Sequence, residues 1–184
     1  MLLETVIETK DLILRTLDAT HAQGPYQVWM RDPAVVRFLE ARFMPSDTTA
    51  LEAYIATVNA STDSLLLGLF SRPKPEHHIG NIKLGPINKH HRSASIGIVI
   101  GAVEFWGKGL ATQAIQALAE FAFSVLRLER LEAGFYAANE SSQRAFRRAG
   151  FIDEGRRRGA RFCDGVRMDE VVMGRLAGDD HVQA

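Results

Sequence analysis

Residues 105–112 read Phe-Trp-Gly-Lys-Gly-Leu-Ala-Thr, two glycines one residue apart at the head of a run with helical periodicity. Gly107, Gly109 and the small Ala111 leave main-chain N–H groups uncovered at a helix start, where the first donors lack intrahelical partners and the dipole is positive. Such a turn can seat a phosphate or pyrophosphate. The candidate binding residues are Trp106, Gly107, Lys108, Gly109, Leu110, Ala111 and Thr112. Gly-x-Gly also serves ordinary strand-to-helix turns, so the spacing alone leaves both readings open. Neither G-x-G-x-x-G nor G-x-x-x-x-G-K-[ST] occurs here, which removes the dinucleotide fingerprint and the P-loop.

A second polar constellation, Asn139-Glu140-Ser141-Ser142, opens another amphipathic run. Asn139 suits a helix N-cap, and Ser142 offers a hydroxyl three residues on. His77-His78 and His90-His91 come without a fixed set of four ligands, so no metal is expected. Twenty-two basic residues offset 22 acidic ones. That balance gives no general pull toward nucleic acid or a membrane surface, and neither is expected as a partner. The lone Cys163 excludes an internal disulfide, Glu4 interrupts any apolar leader, and no apolar run reaches spanning length. A cytoplasmic protein, monomer or homodimer, is the expectation.

The elements that must position these groups follow from the pattern. With 46% apolar content, 184 residues suit one core and one domain, from about residue 10 to 177, followed by a polar tail over 178–184. Leu12 to Arg15 reads as a strand. Asp18 or Thr20 starts a helix that carries Tyr26, Val28 and Trp29 and stops near Asp32-Pro33. Val35 to Phe43 reads as a short helix or loop, and Asp47 caps a helix with Leu51, Tyr54, Ile55 and Val58 on one side. Ser64–Phe70, Ile79–Leu84 and a strand ending at Ile100 form a meander, with a turn at Pro73/Pro75. A helix from about Lys108 places Ile115, Leu118 and Ala122 inward, and Leu131–Tyr136 follows as a strand parallel to the one before the helix. Ligands at such crossovers sit beyond the carboxyl ends of the strands. A helix from Asn139 closes at Gly150, and strands Ile152–Phe162 and Val166–Leu176 flank an Asp164-Gly165 turn.

The Trp106-Gly107-Lys108-Gly109-Leu110-Ala111-Thr112 turn, the preceding Ile96-Gly97-Ile98 strand, and Asn139 to Phe146 ending in Ala149-Gly150-Phe151 together resemble the GNAT superfamily of N-acetyltransferases. Within it the chain is most similar to the branch of the ribosomal-protein N-terminal acetyltransferases. The resemblance implies an α/β (α+β) fold: a mixed, mostly antiparallel sheet with a splayed parallel strand pair and flanking helices. It implies acetyl-CoA as acetyl donor, its pyrophosphate on the N–H groups of Gly107 to Thr112. Pantetheine would pair with main chain at Ile98, Val99 and Ile100 like an added strand, and Gly101 would mark a bulge. Trp106 stands where the broad family has Gln or Arg, which leaves Lys108 as the nearby cation.

The implied reaction is direct attack of a primary amine, from a peptide N-terminus or a small molecule, on the thioester. It needs a neutral amine, donors at the developing oxyanion and a proton for the leaving thiolate. The tyrosine many relatives carry in the helix after the second parallel strand is absent here, so Asn139 and Ser142 are the catalytic candidates, with Tyr136 or water as other proton donors. Asn139 suits a cap alone or a cap that also touches the cofactor. Glu104, Glu40, His90 and His91 are the base candidates. Arg144, Arg147 and Arg148 are offered to the adenosine phosphate, and Arg156 with Arg158 to an anionic acceptor. A module that binds acyl-CoA without turnover stays open as the alternative.

Overall fold

The computed structural model describes residues 1–179. The polar tail expected over 178–184 lies mostly, from residue 180, outside them. The strands are β1 (Ile7–Glu8), β2 (Leu12–Thr16), β3 (Leu65–Ser71), β4 (Lys74–Asn88), β5 (Ser93–Ile100), β6 (Arg130–Tyr136), β7 (Ile152–Cys163) and β8 (Val166–Leu176). The α-helices are α1 (Pro25–Arg31), α2 (Pro33–Val36), α3 (Thr48–Ala60), α4 (Leu110–Ser124) and α5 (Glu140–Arg148). Among the described residues the strands make one sheet in the order β1-β2-β3-β4-β5-β6-β8-β7, antiparallel except between β5 and β6.

β3 lies inside the sheet and is covered on both faces, which is why it reads as a leucine run without alternation. α1 and α3 cover one face, where Trp29 packs on His78 with ring centroids 5.0 Å apart and Lys83 lies over Tyr54. α4 and α5 cover the other. Ala114, Ile115, Leu118, Ala119 and Ala122 of α4 are buried, and Phe146 of α5 packs on Phe135 of β6 at 4.8 Å.

Several expected boundaries move. The helix expected from Asp18 is two pieces, a 3₁₀ turn over Ala19–Ala22 capped by Asp18 and then α1, because Gly24 at φ +73° and Pro25 at the first helical position restart the helix. Val35 to Phe43 is both helix and loop: it begins in α2 and ends in a 3₁₀ turn over Glu40–Phe43. β4 starts at Lys74, five residues before the expected Ile79, so Pro75 lies within the strand rather than in the turn. The polar Lys74–His77 stretch is exposed and hides this from a hydrophobic pattern. Tyr54 is more exposed than its place on the inward side of α3 suggested. β1 precedes the expected start of the domain at residue 10. The Asp164-Gly165 turn has positive φ at both residues, as a tight type I′ hairpin requires.

Candidate active site

β5 and β6 pair only at their amino-terminal ends, Ser93 with Arg130, Ala94 with Leu131 and Ser95 with Glu132. Beyond Ser95 the two strands part, so a gap opens toward their carboxyl ends. On its far side β5 continues to pair with β4 up to Gly80 and Ile100, and β6 with β8 up to Tyr136 and Glu170. Just past β5, the N–H groups of Gly101 and Ala102 both reach the carbonyl of Ile79, at 2.9 and 3.1 Å, the hydrogen-bond pattern of a bulge. Gly101 is required there, because a Cβ would coincide with the indole of Trp29.

The Gly101–Ile79 bond also fixes the alternation along β5. In an antiparallel ladder every second residue exchanges its bonds with the partner strand. Val99 therefore faces Asn81 with its main chain, while the N–H and C=O groups of Ile98 and Ile100 turn into the gap. The carbonyl of Ile100 is occupied by the indole N–H of Trp106 at 2.7 Å. Of the three strand residues expected to meet a ligand through main chain, Ile98 and Ile100 face the gap and Val99 does not.

Side chains alternate in the same way. Ser95 Oγ lies 3.4 Å from Glu132 Oε1, which sets Ser95 and Glu132 on one face. Gly97, Val99, Gly134 and Tyr136 continue on that face. It is the α1 face, since Asn81 opposite Val99 bonds His78 at 2.8 Å within the Trp29 cluster.

The turn entering α4 is open to solvent. Gly107 and Gly109 have φ of +74° and +76°, and a Cβ built on either meets nothing within 4 Å. The first helical bond is from Gln113 to Gly109 at 3.2 Å. The N–H groups from Gly107 to Thr112 donate to no other described residue, and no side chain caps the helix. Six uncovered donors at the positive end of a fifteen-residue helix fit a pyrophosphate. Lys108 reaches over the Phe105 ring, with Nζ 4.9 Å from its centroid, and lines a cleft of about 290 Å³ with Asp11 and Leu110. Thr112 Oγ1 bonds the carbonyl of Ala145 at 3.4 Å and ties the start of α4 to α5.

Asn139 caps α5: its Oδ1 accepts from the N–H of Ser142 at 3.3 Å and from Ser141 Oγ at 3.1 Å. Ser142 is half-buried, and its hydroxyl bonds no other described residue. Gln143, which the sequence reading passed over, is buried and donates to the carbonyls of Tyr136 and Ala137, so α5 is fastened to the end of β6. Arg144 and Arg147 are paired with Glu140 and Asp153, at 3.0 and 2.7 Å, which leaves Arg148 the one of the three without a carboxylate partner among the described residues.

The base candidates separate by position. His90 and His91 lie in the exposed β4–β5 turn, at the opposite end of β5 from the gap. Glu104 is exposed in a 3₁₀ turn between β5 and α4. Glu40 stands at the end of β6, where Tyr136 Oη donates to its Oε1 at 2.6 Å. Tyr136 is buried and its phenol is pushed up to about 12, first by burial and then by the Glu40 carboxylate. Two of the hairpin arginines are committed, Arg161 to Glu40 and Glu170 and Arg157 to Glu170 at 3.1 Å; Arg156 lies 3.7 Å from Asp169, and Arg158 has no carboxylate partner among the described residues. The β7–β8 register slips between Arg157 and Arg161, so strict alternation, which would team Arg156 with Arg158, breaks there.

Among the described residues no helix is long and apolar enough to cross a membrane, and no three His, Cys, Asp or Glu side chains stand together as metal ligands. Comparison with known proteins agrees with the geometry. Residues 11–152 match the family model for the acetyltransferase (GNAT) domain. The chain is 29% identical over 169 residues to the uncharacterized N-acetyltransferase YoaA of Bacillus subtilis, covering 91% of this chain and 94% of that one. It is 36% identical over 94 residues to the spermidine N(1)-acetyltransferase of Escherichia coli K12, covering 51% and 50% respectively. The fold is shared with RimL, a ribosomal L7/L12 alpha-N-protein acetyltransferase solved with coenzyme A, at a TM-score of 0.80 and 19% identity over 94% of this chain and 98% of that one. A splayed parallel pair, an uncovered helix start and a family match across most of the chain converge: this protein belongs to the GNAT acetyltransferase family, enzymes that move an acetyl group from acetyl-CoA to an amine.

Proposed function

We propose that the chain binds acetyl-CoA between β5 and β6 and transfers its acetyl group directly to a primary amine in a ternary complex. The observation that carries this reading is the gap that opens beyond Ser95 and Glu132 and leads toward the bare N–H groups of Gly107 to Thr112. Those donors would hold the pyrophosphate, with Lys108 as the nearby cation. Trp106 contributes by its bond to the carbonyl of Ile100, which fixes the turn against β5. Ile98 offers its C=O to the pantetheine arm and Ile100 its N–H; Val99 lines the α1 face with its side chain instead. The thioester supplies the activated acetyl group.

The protein's part is placement and proton handling. Holding amine and thioester together replaces a bimolecular encounter, and a main-chain N–H such as that of Ile98 is suited to the developing oxyanion. Ser142, with its free hydroxyl on the first turn of α5, is assigned to protonate the departing sulfur, and Asn139 to hold that turn in place. The two faces of the sheet divide the substrates: the cofactor reaches the gap from the α4 side and the acceptor from the α1 side. A lone cysteine fits a cytoplasmic enzyme.

Native mass spectrometry of the purified protein for bound coenzyme A, followed by free-thiol release with a panel of amines and N-terminal peptides, tests the reading. Retention of coenzyme A with amine-dependent thiol release is expected. Binding without release from any amine would instead favour the non-catalytic module.

A further inference from the structure

We infer that Glu40 receives the acceptor amine as a primary alkylammonium ion and draws off its first proton, an inference that rests on the acyl-transfer reading above. Glu40 hangs over the carboxyl end of β6, the strand that forms one wall of the gap. Its Oε1 accepts two bonds, from Tyr136 Oη at 2.6 Å and from Arg161 Nη1 at 2.9 Å. Its Oε2 meets no donor among the described residues, and the side chain is 59% exposed. A carboxylate clamped through one oxygen presents the other in a fixed direction.

The charged groups around it come from β6, β7, β8 and its own loop. Glu170 of β8 is buried over Gly134, where it takes Arg157 on one oxygen and Arg161 on the other. Arg42 donates to Tyr136 Oη at 3.1 Å, the carbonyl of Phe162 at 2.6 Å and Cys163 Sγ at 3.3 Å. Arg42, Arg157 and Arg161 are therefore all bonded already, and both oxygens of Glu170 are filled. Oε2 of Glu40 is the carboxylate atom in the cluster still open to a donor. An anionic acceptor would have to share guanidinium groups already paired with Glu170 or Glu40, whereas an ammonium reaches an oxygen that no described donor occupies. Arg161 and the Tyr136 hydroxyl hold Glu40 through Oε1 and so aim Oε2, and are positioning residues.

The step balances. The ammonium gives one proton to Oε2, and from this exposed side chain it passes to water. The nitrogen lone pair forms the N–C bond as the C–S bond breaks with its electron pair on sulfur, and a second nitrogen proton is matched by the one that arrives at sulfur through Ser142. Ammonium and thioester give amide, thiol and one proton to solvent.

The test is steady-state kinetics with cadaverine, spermidine and glucosamine 6-phosphate from pH 7 to 10, on wild type, E40Q and Y136F. An alkylamine is almost wholly protonated at pH 7 and substantially neutral at pH 10. The alkylamines should exceed the anionic sugar at least tenfold in kcat/KM. E40Q should lower alkylamine kcat/KM at least thirtyfold at pH 7 but less than threefold at pH 10, with acetyl-CoA affinity by calorimetry unchanged. Y136F should show the same pH pattern at three- to tenfold. If E40Q does not fold, Glu40→Asp, which retracts the charge by one methylene, should lose at least fivefold at pH 7 and recover at pH 10. A better rate with glucosamine 6-phosphate, a variant equal to wild type at pH 7, or a deficit independent of pH overturns the inference. Acetyl-CoA binding without acetylation of either alkylamine overturns it alone, whereas failure to bind acetyl-CoA overturns the acyl-transfer reading.

Discussion

Replacing Gly109 by glutamate should separate folding from cofactor binding. The built Cβ meets nothing within 4 Å, so the new side chain extends into solvent without a clash. The conformational cost is that of a non-glycine residue at φ +76°, about 1–2 kcal/mol. Against a typical stability of about 5–15 kcal/mol the protein stays folded, with Tm lowered by roughly 2–8 °C for a chain of this size. Binding suffers more. A carboxylate about 5–6 Å from one pyrophosphate charge repels it by about 3 kcal/mol at an effective dielectric of about 20, and by under about 1 kcal/mol in bulk water. The turn is exposed, so the true value lies between these limits, and it applies to each phosphate charge in turn. The side chain also obstructs the approach of phosphate to the bare N–H groups. The expected result is at least a thirtyfold rise in the acetyl-CoA Kd by isothermal titration, larger at low salt, while Gly109→Ala lies between it and wild type. A folded Gly109→Glu protein with Kd within threefold of wild type would refute the pyrophosphate assignment.

Ser142→Ala should lower kcat at least tenfold while acetyl-CoA KM changes less than threefold, because a proton donor to the leaving sulfur acts mainly in the transition state. Retention of full turnover would pass that role to water or Tyr136. Asn139→Ala removes the α5 cap and should cost about 1 kcal/mol, read as a fall in Tm of roughly 2–4 °C, together with a loss of activity. His78 gives a pH dependence of stability: burial, with the charges of His21 and Arg15 adding to it and bonds to Asn81 and Gly80 opposing, depresses its imidazole from 6.5 to about 4. Its contribution is therefore complete above pH 6.5 and is lost as pH falls toward 4, up to roughly 3 kcal/mol. The fall in Tm between pH 6.5 and 4 should be shallower in His78→Gln; an equal slope would show that carboxylates account for the acid loss.

What the sequence made legible is what local chemistry forces. Gly107 and Gly109 sit at positive φ in an uncovered helix start, and Asp47, Asn139 and Asp164-Gly165 form the caps and turn their residue types require. The splay was foreseen only through family resemblance, since no residue pattern records the loss of pairing between two strands separated by a helix. The break before α1 was written in Gly24-Pro25, a signal outweighed by the apolar spacing around it. The early start of β4 was hidden because its first four residues are exposed, with no buried face to leave a period of two.

The acceptor side was less legible for a reason of scale and register. Glu40 meets Tyr136 across 96 positions and Arg161 across 121, and no spacing rule reaches that far. On β7 the alternation that would have sorted the arginines is interrupted between Arg157 and Arg161, where three residues of β7 lie opposite one of β8. That slip brings Arg157 and Arg161 onto the same carboxylate, Glu170, and directs Arg161 onward to Glu40. Arg157 already stands opposite Glu170 before the slip, so what the slip adds is Arg161. With it, Arg157 and Arg161 are paired with Glu170 and Glu40, Arg158 has no carboxylate partner among the described residues, and Oε2 of Glu40 stays open to a donor. If Glu40 receives the acceptor as proposed, the pairing of Arg161 that the register irregularity in β7 permits matters more for acceptor choice than the number of arginines the strand carries.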